Sequence, residues 1–199
     1  MILHAVEQRS EEWYALRLGK PTASEFSKIV TSKGEPSKSA STYAITLAIE
    51  LYAGKTPDAW EGNTWTERGR ELEDEAIARY EFDRDVEITK TGFVTDDDRT
   101  MGCSPDGLVG SFGLIEVKCL KAENHVRALM RKDCPPDYIA QVQGQMMICK
   151  RDWCDLVFHH PELPMAVKRQ HRDEKFIEAL RQEIPALLAE RDRVLEALR

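Results

Sequence analysis

A stretch of strict alternation, Leu-Ile-Glu-Val-Lys-Cys at residues 114–119, constrains the fold more than any other part of the chain. In a β-strand its Ile, Val and Cys side chains point to one face, and Glu116 and Lys118 point to the other. The stretch therefore predicts a strand with an apolar layer on one side and a carboxylate beside an amine on the other. The simplest interpretation of that polar face is an ion pair on a half-buried strand.

Asp106 precedes this strand, within the run Ser-Pro-Asp-Gly at residues 104–107. Pro-Asp-Gly favours turns for backbone reasons, so the run alone says little about chemistry. Together with Glu116 and Lys118 it forms a pattern: P-D, a nine-residue interval, then E-x-K. A tight hairpin turned at residues 110–113 brings the two carboxylates together.

Converging carboxylates beside a backbone carbonyl match the oxygen ligands and open water positions that Mg²⁺ requires. Lys118 beside them can orient or deprotonate an attacking water, and phosphodiester hydrolysis needs these parts. Glu73, on an acid-rich helix, can point toward the same ion or into solvent. Tyr138 and Gln141 share one helix face and can hold a phosphate or a metal-bound water, or be ordinary polar helix residues.

Residues 17–24 predict a loop that enters a helix N-terminus, with a break at residues 19–21 and Thr22 or Ser24 as the cap. The Arg17 guanidinium, the Ser24 hydroxyl and exposed N–H groups at such a terminus make a phosphate site. The alternative role for Arg17 is a surface salt bridge.

Charge along the chain is segregated by sign. Basic residues outnumber acidic ones five to two over residues 17–38 and five to one over residues 118–132, whereas residues 67–87 are strongly acidic. This distribution suits one phosphate-facing surface, and a solvated patchwork explains it equally well. The net charge of −7 argues against a protein that coats nucleic acid through bulk charge.

Length and cysteine usage bound the class of protein. The 199 residues fit one domain over residues 1–199. An odd number of cysteines, no C-x-x-C pair and no signal-peptide pattern predict a soluble protein of a reducing cytoplasm. No apolar run reaches the roughly 18 to 20 residues that span a bilayer, so no membrane association is predicted.

Periodicity predicts a mixed α/β chain of the α+β kind. Helical patterns cover much of 9–30, a stretch around 43–51, a stretch from a capping box at 64–67 to about 82, and 122–132, 137–148 and 172–199, the last with a kink at Pro185. Strand patterns cover 86–94, 100–109 and 114–120, predicted as an antiparallel meander, and then 153–159 and 165–170.

The run P-D-G…E-V-K, followed by Tyr-Ile-Ala-Gln-Val-Gln at 138–143, resembles the PD-(D/E)XK nuclease superfamily. More narrowly, the chain resembles the lambda exonuclease or YqaJ-type viral recombinase family over nearly its whole length. Trp13, R-L-G-K-P-T-A-S-E at 17–25, G-R-E-L-E at 69–73 and C-S-P-D-G-L at 103–108 carry the likeness. The resemblance implies a restriction-endonuclease-like core, a central mixed sheet flanked by helices.

The resemblance also implies roles for individual residues, in three groups. The catalytic group is Lys118, Asp106, Glu116 and Gln141. The metal group, for two Mg²⁺ ions that Mn²⁺ can replace, is Asp106, Glu116, the Val117 carbonyl and Glu73. The group for the 5′-phosphate and DNA is Arg17, Ser24, Thr22, Ser104 and Tyr138.

The activity that the resemblance implies is 5′-to-3′ exonuclease digestion of one strand at double-stranded DNA ends, preferably 5′-phosphorylated. It implies a ring-shaped homotrimer, encoded by a phage or prophage and acting in a bacterial host, which leaves a 3′ overhang for a single-strand annealing protein. The chain is shorter at its N-terminus than the best-known member, so the resemblance assigns no residues to contacts made there, including any strand-separating wedge.

Other functions remain open on the residues alone. An endonuclease can use the same fold, because a fold does not determine reaction geometry. A non-catalytic DNA-binding recombination module is opposed by the intact Asp106, Glu116 and Lys118. An iron–sulfur nuclease needs four clustered cysteines, and Cys149 and Cys154 lack the usual close spacing.

Overall fold

A computed structural model describes residues 1–55 and 64–199, and the side chains of residues 64–71 lie outside that description. The side chains of the capping box predicted at residues 64–67 therefore lie outside the described residues, as do residues 56–63 of the loop before it. The strands are β1 (Ile2–His4), β2 (Ile88–Thr89), β3 (Phe93–Thr95), β4 (Gly102–Cys103), β5 (Gly107–Val109), β6 (Gly113–Cys119), β7 (Trp153–His159) and β8 (Ala166–His171). The α-helices are α1 (Glu11–Arg17), α2 (Ala40–Ala53), α3 (Thr64–Arg84), α4 (Ala122–Met130), α5 (Pro136–Cys149) and α6 (Glu174–Ala197).

The central sheet is mixed, with strand order β2-β5-β6-β7-β8. Strands β6 and β7 run parallel, from the pair Gly113 and Trp153 to the pair Cys119 and His159, and the other neighbours are antiparallel. Parallel neighbours need a long crossover, which α4 and α5 supply. The predicted α/β architecture, a central mixed sheet flanked by helices, is confirmed.

Strand β6 is covered on both faces. Leu114 packs into a core that includes α2, α5 and α6, whereas Ile115 and Val117 pack into a second core that includes Ala76 and Tyr80 of α3. The predicted alternation is confirmed, but the polar face is covered by a helix rather than left half open. Glu116 is consequently only 4% exposed.

The antiparallel meander predicted over residues 86–120 is wrong in its connections. Strands β3 and β4 leave the central sheet and pair with β1 in a separate three-stranded sheet. Just before β3, a Cβ at Gly92 would overlap the carbonyl oxygen of Val6. Glycine therefore allows the chain to approach the segment that follows β1. Pro105, which has no N–H for a strand ladder, separates β4 from β5. The hairpin of β5 and β6 is confirmed.

The helical pattern over residues 9–30 divides into two elements. Helix α1, capped by the Ser10 hydroxyl, ends at Arg17, and Gly19 turns the chain with a positive φ of 66°. A six-residue 3₁₀ helix, Ala23–Lys28, follows with Thr22 at its N-cap. The helices and strands predicted beyond residue 120 are confirmed, with Pro185 inside α6. Within the described residues, no helix is long and apolar enough to cross a membrane.

Candidate functional site

The β5–β6 hairpin brings Asp106 against the next strand. Gly107, directly after Asp106, pairs with Ile115, and the Val117 N–H donates to Asp106 Oδ2 at 2.6 Å. A Cβ at residue 107 would overlap the Ile88 side chain, so glycine is what lets β5 pack this closely against β2. The hairpin predicted from the sequence therefore positions this carboxylate beside the backbone of β6.

Glu116 is held by donors at both carboxylate oxygens. Its Oε1 accepts from Lys118 Nζ at 2.7 Å and from Gln141 Nε2 at 2.6 Å. Its Oε2 accepts from Gln145 Nε2 at 2.6 Å. Gln145 is a contact that the sequence interpretation missed. The available signal was its position four residues after Gln141, which places both amides on one face of α5.

Glu73 of α3 lies beside Asp106 and Glu116. Burial raises the pKa of Asp106 well above its usual value, and the charges of Glu116 and Glu73 raise it further. Burial also raises the pKa of Glu73, against the hydrogen bond that it shares with Asp106. Three carboxylates so close together repel one another, and a cation among them relieves that repulsion.

The residue types at this cluster fit Mg²⁺, which binds oxygen ligands. Asp106, Glu116 and Glu73 supply carboxylates, and Val117 has its carbonyl on the same strand. Among residues 1–55 and 64–199, however, no three His, Cys, Asp or Glu side chains already stand as a metal shell. The carboxylates would have to adjust their rotamers to share an ion.

Lys118 lies against Glu116 and Tyr138. Burial lowers the pKa of its ammonium, but the charge and hydrogen bond of Glu116 outweigh burial and leave that pKa above its usual value. Its Nζ lies 5.3 Å from the centre of the Tyr138 ring. Tyr138 and Gln141 thus share the face of α5 that the sequence predicts for them, and both face Glu116 or Lys118.

A second cluster surrounds Arg17. Its guanidinium carbon lies 4.1 Å from the centre of the Trp13 ring, and its Nη2 donates to Thr22 Oγ1 at 3.3 Å. Thr22 Oγ1 lies 3.3 Å from Ser24 Oγ, and Trp13 Nε1 donates to Ser104 Oγ at 2.8 Å. Five residues are predicted to bind the 5′-phosphate and DNA, and the structure brings four of them together here. The fifth, Tyr138, lies beside Lys118.

Arg17 has no acidic partner within ion-pair distance among the residues that the structure describes. The alternative prediction of a surface salt bridge for Arg17 is therefore wrong for the described chain. Burial lowers the pKa of the guanidinium, which indicates a partly desolvated cation. The helix predicted to begin at this loop is only a short 3₁₀ helix, so side chains, rather than a helix terminus, offer the donors.

Strand β4 holds the two clusters together. Gly102 forms a parallel bridge with Thr22, and its N–H donates to the Pro21 carbonyl at 3.1 Å. The chain then runs directly from Ser104 in the Arg17 cluster to Asp106 in the carboxylate cluster. The two clusters are therefore neighbours, joined by one short stretch.

A cavity of about 430 Å³ opens beside the carboxylates, within the roughly 300–1,000 Å³ range of small-molecule sites. Its walls combine acidic, basic and backbone groups: Ala5, Val6, Glu7, Gln8, Arg9, Glu73, Asp74, Lys90, Thr91, Gly92 and Asp106. Substrate-sized groups therefore have access to Asp106 and Glu73.

The cysteines and histidines form no described hydrogen bond with Asp106, Glu116 or Glu73. All five cysteines are free thiols, and Cys103, Cys134, Cys149 and Cys154 are buried. His159 is buried beside Glu75, whereas the neighbouring His160 faces His125. The described residues thus hold no cysteine cluster for an iron–sulfur centre.

Comparison with known proteins identifies close relatives. A family model described as the YqaJ-like viral recombinase domain matches residues 12–152. An alkaline exonuclease from Laribacter hongkongensis is similar, with 36% identity, a TM-score of 0.84, and coverage of 95% of this chain and 96% of that chain. A structure of the same exonuclease in complex with dAMP matches with 34% identity, the same TM-score of 0.84, and coverage of 95% and 96%.

A phage-related exonuclease from Haemophilus somnus 129PT shares the fold, with 19% identity, a TM-score of 0.69, and coverage of 90% of this chain and 96% of that chain. A search of curated proteins gives no match.

Proposed function

This chain belongs to the YqaJ-like viral recombinase family, and from that premise we propose that it is a metal-dependent 5′-to-3′ exonuclease acting on double-stranded DNA ends. The family and its exonuclease relatives support a nuclease role. One observation carries the finer proposal: a carboxylate cluster with a lysine adjoins an arginine–hydroxyl cluster that has no described acidic partner. The first suits hydrolysis and the second suits an anionic strand end.

Asp106, Glu116, the Val117 carbonyl and Glu73 would hold two Mg²⁺ ions, which Mn²⁺ can replace. Bound there, the ions supply a water of lowered pKa and neutralise charge on the attacking and leaving oxygens. Lys118, whose Nζ is within 2.7 Å of Glu116, would orient the attacking water. Gln141 lies beside both groups and holds Glu116 in place.

The 5′-phosphate of the digested strand would bind at Arg17, Thr22, Ser24 and Ser104, with Tyr138 as a further DNA contact. A guanidinium and hydroxyls are strong donors to phosphate oxygens. The nearby hydrolytic cluster would then cut close to the strand end and release a nucleoside monophosphate. The dAMP complex of the related exonuclease supports a product of this class.

The remaining parts of the proposal follow the family. We expect residues 1–199 to act as a single exonuclease domain and to assemble as a ring-shaped homotrimer around DNA. The 3′ overhang would pass to a single-strand annealing protein in phage-type homologous recombination, in the cytoplasm of a bacterial host.

The test is digestion of linear duplexes that carry either a 5′-phosphate or a 5′-hydroxyl, with Mg²⁺ or with a chelator. Sequencing of the surviving strand reports polarity. We expect loss of the 5′-ended strand, a preference for the phosphate, and no reaction with chelator. A covalently closed circle should resist, and its rapid cutting would indicate an endonuclease instead.

Substitution of Lys118 tests the catalytic cluster. Lys118→Ala should lower the rate by at least ~100-fold, the smaller end of what a positioned proton-transfer group contributes. Circular dichroism should show an unchanged fold, and the exposed Lys175→Ala in α6 should retain full activity as a control. Full activity of Lys118→Ala in Mg²⁺ would remove the proposal.

A further inference from the structure

Gln145 is a buried carboxamide with an uneven set of contacts. It is 1% exposed and lies in α5 among core residues. Its Nε2 donates to Glu116 Oε2, while its Oε1 has no hydrogen-bond partner among the described residues. A buried acceptor without a partner costs stability, so the residue serves the folded core poorly.

The charge of Glu116 determines how this amide is turned. The reverse orientation would set the Gln145 carbonyl oxygen against a carboxylate oxygen, and two acceptors repel. Gln145 therefore points its N–H groups at Glu116 even though its own carbonyl gains nothing.

Gln143 of the same helix shows what a purely structural glutamine looks like. It is 3% exposed, its Nε2 donates to the His171 carbonyl at 2.9 Å, and its Oε1 accepts from the Asp173 N–H at 2.9 Å. Both ends of that amide are satisfied, and its contacts join α5 to the end of β8 and to Asp173, the N-cap of α6. Gln143 thus bonds to the backbone of neighbouring elements, whereas the described hydrogen bond of Gln145 goes to the Glu116 carboxylate.

The donors on Glu116 are divided between its two oxygens. Lys118 and Gln141 share Oε1, whereas Gln145 is the described donor to Oε2. Without Gln145, the carboxylate could rotate about its bond to the side chain while Oε1 kept a donor. Gln145 thus sets the plane of the carboxylate.

We propose that Gln145 is a positioning residue that holds the Glu116 carboxylate in the orientation from which it binds a divalent cation. The inference rests on the metal site of the proposed function. It concerns the protein before DNA binds, so metal affinity rather than hydrolysis is its direct readout. Groups that orient metal ligands typically change metal affinity by about 10- to 100-fold when they are removed.

The test is Mn²⁺ binding to the DNA-free protein, followed through the electron paramagnetic resonance signal of free Mn²⁺. Gln145→Met keeps the length of the side chain and removes the donor, and we expect about 10- to 100-fold weaker binding. The matched control is Gln143→Met, which should lower the melting temperature and leave Mn²⁺ affinity within about twofold of the unmodified protein, since it lies outside the set of ligand-orienting groups.

Mn²⁺ affinity of Gln145→Met equal to that of the unmodified protein would overturn the inference. Should that variant not fold, Gln145→Asn retains a buried amide of shorter reach, and the same criterion applies to it. Asp106→Asn separates the two proposals. If Asp106→Asn binds Mn²⁺ as well as the unmodified protein does, the proposed metal site fails. If Asp106→Asn loses Mn²⁺ affinity and Gln145→Met keeps it, only the role of Gln145 fails.

Discussion

Arg17 is a cation whose neighbours are an aromatic ring and hydroxyl groups. Stacking on Trp13 holds the guanidinium plane, and the bond to Thr22 directs one edge of it. Since no carboxylate of the described chain lies within ion-pair distance of it, the guanidinium can pair with an anion. Trp13 also donates to Ser104, so one indole orients two of the groups that we assign to the strand end.

Arg17→Ala should abolish the preference for 5′-phosphorylated ends. A hydrogen bond to a charged group contributes about 1.5–3 kcal/mol, which corresponds to roughly 10- to 100-fold in rate. Initial rates on phosphate and hydroxyl ends, measured side by side, should become equal. Arg17→Lys keeps the charge without the planar fork and should retain part of the preference. A full preference in Arg17→Ala would contradict the assignment.

Helix α5 approaches the 3₁₀ helix closely because Gly144 has no side chain. A Cβ at that position would overlap the Phe26 ring and lie 3.3 Å from the Ala23 Cβ. The contact matters for the site, since α5 carries Gln141 and the 3₁₀ helix carries Ser24. The distance between the carboxylate cluster and the Arg17 cluster therefore depends on this packing.

Gly144→Ala should destabilise the protein, although alanine normally favours a helix by roughly 1 kcal/mol over glycine. Overpacking typically costs about 1–3 kcal/mol, and here it should outweigh the helical gain. Urea denaturation measures the change. Combined with Phe26→Leu, which opens space at the contact, the two changes should be clearly non-additive. Increased stability of Gly144→Ala would show that the two elements can separate at no cost.

Local patterns predicted the elements that carry the site. Alternation over β6, the turn before it and the apolar spacing of α5 need only short windows of sequence, and all three are confirmed. The separate sheet of β1, β3 and β4 could not be predicted, because it depends on the approach of Gly92 to Val6, residues far apart in the chain. The role of Gln145 was hidden for the same reason, since its partner lies across the α5–β6 packing.

The molecule as a whole is acidic, with a net charge of −7, yet exposed basic residues gather around the end of α4. Arg127, Arg131 and Lys132 are exposed there, and the same crossover leads from β6 to α5. An acidic protein can bind a polyanion only through such a local surface. We therefore expect duplex DNA to run along this side.

Replacement of Arg127, Arg131 and Lys132 by alanine should weaken duplex binding and flatten its salt dependence. Each lost phosphate contact should reduce the slope of log K against log salt by about 0.9. Fluorescence anisotropy at several salt concentrations measures both. Alanine at Lys175, Arg181 and Arg193 of α6 makes the same change in net charge and should have little effect. Equal effects of the two triple variants would mean that bulk charge, not this surface, controls binding.

The direct run from Ser104 to Asp106 has a consequence for how far the enzyme advances at each turnover. Two residues of extended chain span at most about 7 Å, so the covalent chain sets an upper limit on the distance between Ser104 and Asp106. If the strand end binds at Ser104 and is hydrolysed at Asp106, this limit on their separation predicts that each step removes a product of constant length.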